Sequence, residues 1–399
     1  MHYLVLVLHH QHPRSWRSDR MRIGIDTLFE HPERPSSAID YLKNLVEWLP
    51  RTGPEHSYYV FVSPRNRHHF RGTAPNVHWV QCFVSNENMP LRIAFQQTVL
   101  PYRIVKLGLD VLFSPGNVCP LLGDFRRVLK ICTLHHYQMP DLVGRTRSLY
   151  RKFAFAQSAK RADRIVANTL ATKSDICKWI GVPETKVSVV VEASYEFYAA
   201  TPQEVTQSIR AKYGIDHDYI LFVSNLYAYK NLETLLRAFA KLARQQGFDY
   251  QLVVAGRDCD SQQAKLETLA DSLSIAPLVR FLGFVPPENM PGLYTGARVF
   301  VYPSLSETFG KPLIEAMKCG VPVVASDASS IPEVLGGAGT LVKPLDVDEM
   351  SQAIHEASMN ETLRAKLIKR GLERARSFSW QASAEETLHV IESTVCQAA

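Results

Sequence analysis

The chain holds no run approaching the roughly 18 apolar residues of a membrane-spanning helix, and it has no low-complexity tract or short-period repeat. Its cysteines, Cys82, Cys119, Cys132, Cys177, Cys259, Cys319 and Cys396, form no Cys-x-x-Cys pair and share no metal-type spacing with histidine. That pattern excludes a zinc ribbon or a disulfide framework and reads as scattered thiols of a reducing compartment. Neither a basic leader nor a small-residue cleavage site flanks the apolar stretch Tyr3–Leu8, which reads as a poor secretion signal. Met21-Arg-Ile-Gly-Ile-Asp26 makes a more natural first strand. Residues 1–20 are therefore expected to be an extension from a misassigned start codon.

What is present is ordinary for a globular protein: 399 residues, 46% hydrophobic and 21% charged, enough for two or three cores. Charge is unevenly divided. Residues 1–200 carry 26 Lys and Arg against 16 Asp and Glu, whereas the remainder carries 19 against 23. A basic front half points to an anionic partner or to a solvated face. No RNA- or DNA-binding motif accompanies it, so nucleic acid is ranked last.

Short apolar runs alternate with helix-length amphipathic stretches, the pattern of βα units and parallel sheets. Strands are expected near 22–26, 58–62, 77–83, 111–114, 128–134, 164–167 and 187–191. A second series begins at 219–224 and continues through 251–255, 279–282, 299–302, 323–325 and 339–342. The expected organisation is residues 1–20 as extension, 21–195 as an acceptor-binding Rossmann-like domain and 196–217 as linker. Residues 218–378 form a donor-nucleotide-binding Rossmann-like domain, and 379–399 a C-terminal helix packing back on the N-terminal domain. The fold class is α/β, two doubly wound Rossmann-like domains facing a central cleft, with ligands at the carboxyl ends of the strands.

The densest chemistry lies in Pro303-Ser-Leu-Ser-Glu-Thr-Phe-Gly-Lys-Pro-Leu-Ile-Glu315. Pro312 is suited to open a helix, which would place Glu315 in its first turn and Glu307 in the loop before it. The amides from Thr308 through Phe309, Gly310 and Lys311 to Leu313 would then form an anion site between two hydroxyl-accepting carboxylates. A ligand with phosphates in the middle and polyols at both ends fits, and a nucleotide sugar is such a ligand. Lys230, just before a helix start at Asn231, is placed to reach a phosphate; the alternative is a surface lysine. Gly283 allows close backbone approach, and Phe284 or Val285 would line a base pocket. His135 and His136 are expected at a strand's carboxyl end, facing the cleft. The stretch Arg145–Lys160, with Arg161 and Arg164, interleaves basic and aromatic residues and would lie on anionic lipid or be a solvated helix face.

Residues 21–395 resemble the large retaining glycosyltransferase family called group 1, or family 4, with the two-Rossmann B-type (GT-B) fold. The resemblance rests on the Glu-x7-Glu block Glu307–Glu315 with its Cys319-Gly-Val-Pro322 continuation and Ser330-Ile-Pro-Glu333. Ser224–Lys230, Asp110–Pro115 and Thr133–His135 add to it by their order. It implies that Glu307 contacts donor-sugar hydroxyls, Glu315 the ribose, and Lys230 the departing diphosphate, with His135 near the donor sugar. It also implies a retaining, metal-independent transfer, with no cofactor beyond a UDP- or GDP-sugar donor as substrate. The implied acceptor is a glycan or a polyprenyl-diphosphate-linked sugar. The location would be cytoplasmic, at the inner face of the cell membrane, with peripheral anionic membrane contact.

Five residues, at three places in the chain, depart from the family pattern. Asn225 and Ser224 stand where arginine and glycine are usual, so one cationic contact is missing or comes from a residue such as Arg257. Ser36 and Ser37 replace the glycine-rich turn of the first domain, where hydroxyls would bind phosphate. His136 replaces an aspartate. Two rival readings stay open: a non-hydrolysing sugar-nucleotide epimerase, and a degenerate nucleotide-sugar binding protein.

Overall fold

The structure is a computed structural model that describes residues 20–29, 37–70, 74–140 and 144–396. It contains two all-parallel sheets, of seven and of six strands. The chain divides into two compact units, one of residues 1–130, 160–164 and 387–399, the other of residues 131–159 and 165–386.

In the first unit β1 (Arg22–Asp26), β2 (Ser57–Val62), β3 (Val77–Gln81), β4 (Val111–Ser114) and β5 (Arg126–Lys130) lie in the order β3-β2-β1-β4-β5. Helices α1 (Ser37–Thr52) and α2 (Met89–Lys106) provide crossovers. The strands are apolar because a parallel sheet is covered on both faces; Ile23, Ile25, Val60, Phe61, Val111 and Phe113 are all buried. One buried cation is conspicuous. The Arg127 guanidinium donates to the carbonyls of Pro120, Leu122, Gly123 and Phe125, and burial lowers its pKa to about 10. It thereby fixes the loop ahead of β5.

Buried His56 ties the C-terminal end of the chain to this sheet. Its Nδ1 accepts from the Met21 amide at 3.2 Å, and its Nε2 lies 3.1 Å from Glu392 and 3.4 Å from Glu55. Because Nδ1 faces an N–H, the proton belongs on Nε2, which donates to the carboxylates. A metal ion would need that same nitrogen lone pair, so these three residues suit a clamp better than a cation site.

In the second unit β6 (Arg164–Ala167) pairs with β7 (Val187–Val189). Six further strands, β8 (Asp218–Val223), β9 (Tyr250–Ala255), β10 (Val279–Gly283), β11 (Val299–Tyr302), β12 (Val323–Ser326) and β13 (Thr340–Val342), lie in the order β10-β9-β8-β11-β12-β13. The helices are α3 (His135–Gln138), α4 (Arg145–Arg161), α5 (Leu170–Ile180), α6 (Gln203–Lys212), α7 (Leu232–Leu242), α8 (Gln263–Ser272) and α9 (Met290–Thr295). They continue with α10 (Lys311–Lys318), α11 (Ile331–Leu335), α12 (Val347–Met359) and α13 (Glu361–Ala375), while α14 (Trp380–Cys396) begins in this unit and belongs to the first from Thr387 onward. Leu232, Leu235, Leu236, Phe239 and Leu242 of α7 recur at helical spacing and all reach the core. Strand order reverses between β8 and β11, which pair directly. A crevice at such a reversal is where open α/β sheets bind ligands. The loops leaving β8 and β11 carry Lys230 and Glu307.

Two local expectations shift. The strand expected over 128–134 ends at Lys130, and residues 135–138 turn into α3, too short to show a period. The linker expected over 196–217 contains α6, which buries Ile209 alone.

Replacing His56 by alanine removes two hydrogen-bonded contacts from a buried position and should cost about 1–3 kcal/mol. The expected signs are a lower thermal midpoint and faster amide exchange across residues 387–396. Unchanged exchange there would show that the clamp does not hold α14.

Candidate functional site

Three contacts stitch the β8 and β11 loops together. The Leu305 amide donates to the Tyr229 carbonyl at 2.8 Å. Asn231, in the left-handed region at φ 58°, donates from its side chain to the carbonyls of Pro303 at 3.0 Å and Pro344 at 2.6 Å. Thr234 Oγ1 in turn donates to Asn231 Oδ1 at 2.7 Å. Asparagine tolerates that backbone better than most residues, so one residue makes the turn and holds both loops. The third contact is an ion pair between Lys230 and Glu307, whose side chains are 10% and 9% exposed.

Aromatic rings surround this pair. Lys230 Nζ lies 3.3 Å from Tyr302 Oη, 5.0 Å from the Tyr229 ring centroid and 5.4 Å from that of Tyr302. Burial, and then the Glu307 charge, push both phenols well above their usual range. Both stay protonated, and Tyr302 is hydrogen-bonded to the Glu307 carboxylate. The His135 ring packs 5.1 Å from Tyr229, and its Nε2 has no hydrogen-bond partner. Burial lowers its pKa, opposed by Glu307 and reinforced by Lys230, so the neutral imidazole can donate or accept. His136 turns the other way, into a buried position against Tyr137 and Phe155. Burial, then Arg151 and Lys152, hold its pKa near 4. It packs rather than binds.

Glu315 borders a separate cavity of about 210 Å³, lined by Val223, Ser224, Asn225, Phe284 and Val285 among others. Tyr294 Oη donates to Glu315 Oε2 at 3.0 Å and orients the carboxylate. The helix carrying Glu315 begins at Lys311 after Gly310 at φ 91°, so Glu315 is its fifth residue and lies beyond the first turn. The expected stabilisation of Glu315 by a first-turn dipole is thereby corrected. Gly256 closes the cavity floor. At φ 151° it lies so close to the neighbouring loop that a Cβ would meet the Ser224 carbonyl oxygen at 1.8 Å. On the rim, the Arg257 amide donates to Asn225 Oδ1 at 3.3 Å, and the Arg257 guanidinium lies 4.2 Å over the Phe284 ring. Asn225, Arg257 and Phe284 therefore come together.

The remaining predicted residues separate by side chain. Thr308 offers its carbonyl to Thr169 and Thr172 hydroxyls at 3.4 Å. Phe309 and Leu313 are core residues, and the Leu313 amide already donates to Gly310 at 3.0 Å. Lys311 pairs with Glu192 at 3.3 Å and lies 5.5 Å from the Trp380 ring. Ser36 falls outside the described residues, and Ser37 is the first residue of α1. Tyr229, Asn231, Tyr294 and Tyr302 belong to the site although sequence reasoning passed over them. Asn231 adjoins Lys230 and was within reach; Tyr294 and Tyr302 read as ordinary helix and strand residues.

The chain also carries three Asp-x-Asp triplets of the kind that can hold a metal-bridged diphosphate, starting at Asp258, Asp346 and Asp216, and in the last of these Asp218 pairs with Arg210 at 3.3 Å. In the first, Asp258 Oδ1 accepts from the Gln262 amide at 2.8 Å, ahead of α8. In the second, Asp346 caps α12, accepting from the Asp348 and Glu349 amides, and Asp348 pairs with Lys241.

Residues 205–374 match the family described as "Glycosyl transferases group 1", and residues 40–191 match "Glycosyltransferase Family 4". The O-antigen chain mannosyltransferase B of Escherichia coli is 31% identical over 254 residues, 63% of this chain and 66% of that protein. The D-inositol 3-phosphate glycosyltransferase of Corynebacterium jeikeium is 27% identical over 372 residues, 86% of this chain and 88% of that one. The chain spans about two thirds of the first of these, and 32% of a serotype-specific mannosyltransferase of Escherichia coli that it also matches. Among solved structures, Anabaena HepE in complex with UDP and glucose aligns with a TM-score of 0.72 at 19% identity, over 94% of this chain and all of that one. The fold is thus the two-domain, Rossmann-like GT-B fold. With both halves matched and the Glu307–Glu315 block in place, the chain belongs to the group 1 glycosyltransferases.

Proposed function

We propose that the protein is a retaining, metal-independent hexosyltransferase that uses a UDP- or GDP-sugar donor and a glycan or polyprenyl-diphosphate-linked acceptor. The observation that carries this reading is the Lys230–Glu307 pair between the β8 and β11 loops, on the same sheet edge as the Glu315 cavity. The nucleoside would occupy that cavity, with Glu315 accepting from ribose hydroxyls and Phe284 beside the base. Lys230 would take the diphosphate, and Arg257 the cationic place that Asn225 leaves empty. Glu307 and the neutral His135 would then hold the donor sugar.

In the transfer step the bond from the anomeric carbon to the diphosphate oxygen breaks. The acceptor hydroxyl oxygen bonds to the same face of that carbon, and its proton passes to the departing diphosphate oxygen. Lys230 stabilises the charge that develops there. A membrane-face acceptor suits relatives whose names refer to O-antigen chains, and the basic helix α4 offers an anionic lipid contact. The name of the corynebacterial relatives keeps a small phosphorylated acceptor open. Asn225 favours one second reading, a nucleotide-sugar binding protein without turnover.

Single-turnover assays with a panel of donors decide between these readings. Lys230→Ala should slow transfer by ~10²–10³-fold. Because that change leaves Glu307 buried and unpaired, the Lys230→Ala/Glu307→Gln double variant keeps the test valid if the single one unfolds. A folded variant lacking Lys230 but as fast as the parent removes the lysine from the mechanism. No transfer by the parent with any donor, alongside saturable donor binding, favours the binding protein.

Glu307→Gln should separate binding from chemistry. It frees Lys230 from its counter-ion, so a nucleoside diphosphate without the sugar should bind more tightly in calorimetry while sugar transfer falls. Weaker binding of the bare diphosphate would contradict the competition between Glu307 and phosphate for Lys230.

Transfer should persist in EDTA, since Asp258 already accepts from the Gln262 amide, Asp346 caps α12 and Asp218 pairs with Arg210. Loss on chelation, restored by manganese or magnesium, would assign the diphosphate to a metal instead.

A further inference from the structure

None of the residues Ser330-Ile-Pro-Glu333 lines the Glu315 cavity, yet both polar side chains of this motif hold backbone. Ser330, at the start of α11, is buried. In a three-centre bond its Oγ donates to the Glu307 carbonyl at 3.1 Å and to the Phe309 carbonyl at 3.4 Å. The carbonyl between these two, that of Thr308, accepts from buried Thr172 Oγ1 at 3.4 Å. Thr169 Oγ1 accepts from the Thr172 amide at 3.0 Å and donates to Thr172 Oγ1 at 2.9 Å, so the Thr172 proton goes to Thr308.

Glu333 sets that second donor in place. Its two carboxylate oxygens accept from the amides of Leu170 at 2.8 Å and Ala171 at 3.3 Å, in the first turn of α5. First-turn amides have no partner within their own helix, and the dipole favours a carboxylate there. Thr172 lies in the same turn. Arg374 donates to the Glu333 and Val334 carbonyls at 2.8 Å and 3.0 Å, which fixes α11 from behind. One motif therefore reaches three successive carbonyls, through Ser330 directly and through Glu333 by way of α5.

Peptide geometry carries this to the other side of the loop. A trans peptide unit is planar, with its N–H opposite its C=O, and every described peptide bond is trans. Holding the Glu307 and Phe309 carbonyls toward Ser330 aims the amides of Thr308 and Gly310 together away from it. The amides of Thr308, Phe309 and Gly310 have no acceptor among the described residues. The loop's acceptors are satisfied by the protein and its donors are not. The same contact fixes the backbone that carries the Glu307 carboxylate to Lys230. Resting on the diphosphate placement proposed above, we infer that Ser330 and Glu333 are positioning residues. They hold the peptide units from Glu307 to Gly310 so that the Thr308 and Gly310 amides receive a donor phosphate. Neither side chain touches the donor, and the preorganised amides act at no cost of reorientation.

The test is calorimetric titration of the full chain with UDP and GDP, and with uridine and guanosine as the matching compounds without phosphate. The parent is expected to bind one diphosphate more tightly than its nucleoside. Ser330→Ala should weaken that diphosphate by about tenfold, the scale of one lost hydrogen bond to an anion. Nucleoside affinity should stay unchanged, since the cavity lining includes none of these peptide units. Thr172→Val should act in the same direction, and Thr172→Ser, which keeps the hydroxyl, should bind like the parent. Glu333→Ala should add no further loss in the Thr172→Val background, because it acts through that hydroxyl. Should Ser330→Ala fail to fold, the Thr172 and Glu333 variants decide alone. Equal losses of diphosphate and nucleoside affinity overturn the inference, because they mark a merely structural role. Parent-like diphosphate binding by folded Ser330→Ala and Thr172→Val overturns it too, and leaves the diphosphate placement standing. A parent that binds neither diphosphate better than its nucleoside overturns that placement, and the inference with it.

Discussion

The site depends on one buried ion pair. Lys230 and Glu307 come from different loops, and each would be costly to bury alone. Held together, they fix the distance between the ends of β8 and β11. Asn231 and the Leu305–Tyr229 hydrogen bond reinforce the same join. Everything downstream inherits this geometry. The chain leaves Glu307, turns at Gly310 and enters α10, which delivers Glu315 to its cavity. On the other side it leaves Lys230 and enters α7, whose apolar face anchors the turn in the core.

Aromatic hydroxyls do work here that further cations would do elsewhere. Tyr302 and Tyr294 are fully buried, and each stands beside one of the two carboxylates. Phenols this far from ionisation donate without adding charge, and so orient a carboxylate oxygen. The resulting site is sparing in positive charge. Lys230 is neutralised by Glu307, Asn225 is uncharged, and Arg257 rests on Phe284 at the rim. An arriving diphosphate would therefore meet oriented donors first and gain the lysine by displacing a carboxylate.

The order of the β and α segments was legible because parallel strands, covered on both faces, read as short apolar runs between amphipathic helices. The Glu307–Glu315 spacing and Lys230 were legible because a carboxylate, a glycine turn and a lysine carry their chemistry in their identity. The helical turn on which Glu315 sits was not, since Pro312 fits either of the first two helical positions and the structure starts the helix one residue earlier. His135 and His136 are indistinguishable in sequence; only the burial of one against Phe155 separates them. Tyr302 and Tyr294 looked like core residues because they are core residues, with only the hydroxyl reaching the site.

The placement of Glu307 also bears on whether the site turns over or only binds. A protein whose sole task is to hold a nucleotide sugar gains nothing from a carboxylate against the lysine that must take the diphosphate. Such a carboxylate weakens anion binding in the resting state. The arrangement becomes useful when a polyol lies between the two charges. Glu307 can then accept from its hydroxyls while Lys230 is left to the phosphate. As the bond to the diphosphate lengthens, negative charge grows on the lysine side and positive character on the sugar, beside the carboxylate. Both changes strengthen existing contacts without moving either side chain, which is the condition for stabilising a transition state more than a ground state. The same pair that holds two loops together in the resting protein is therefore better suited to a transfer reaction than to storage of its donor.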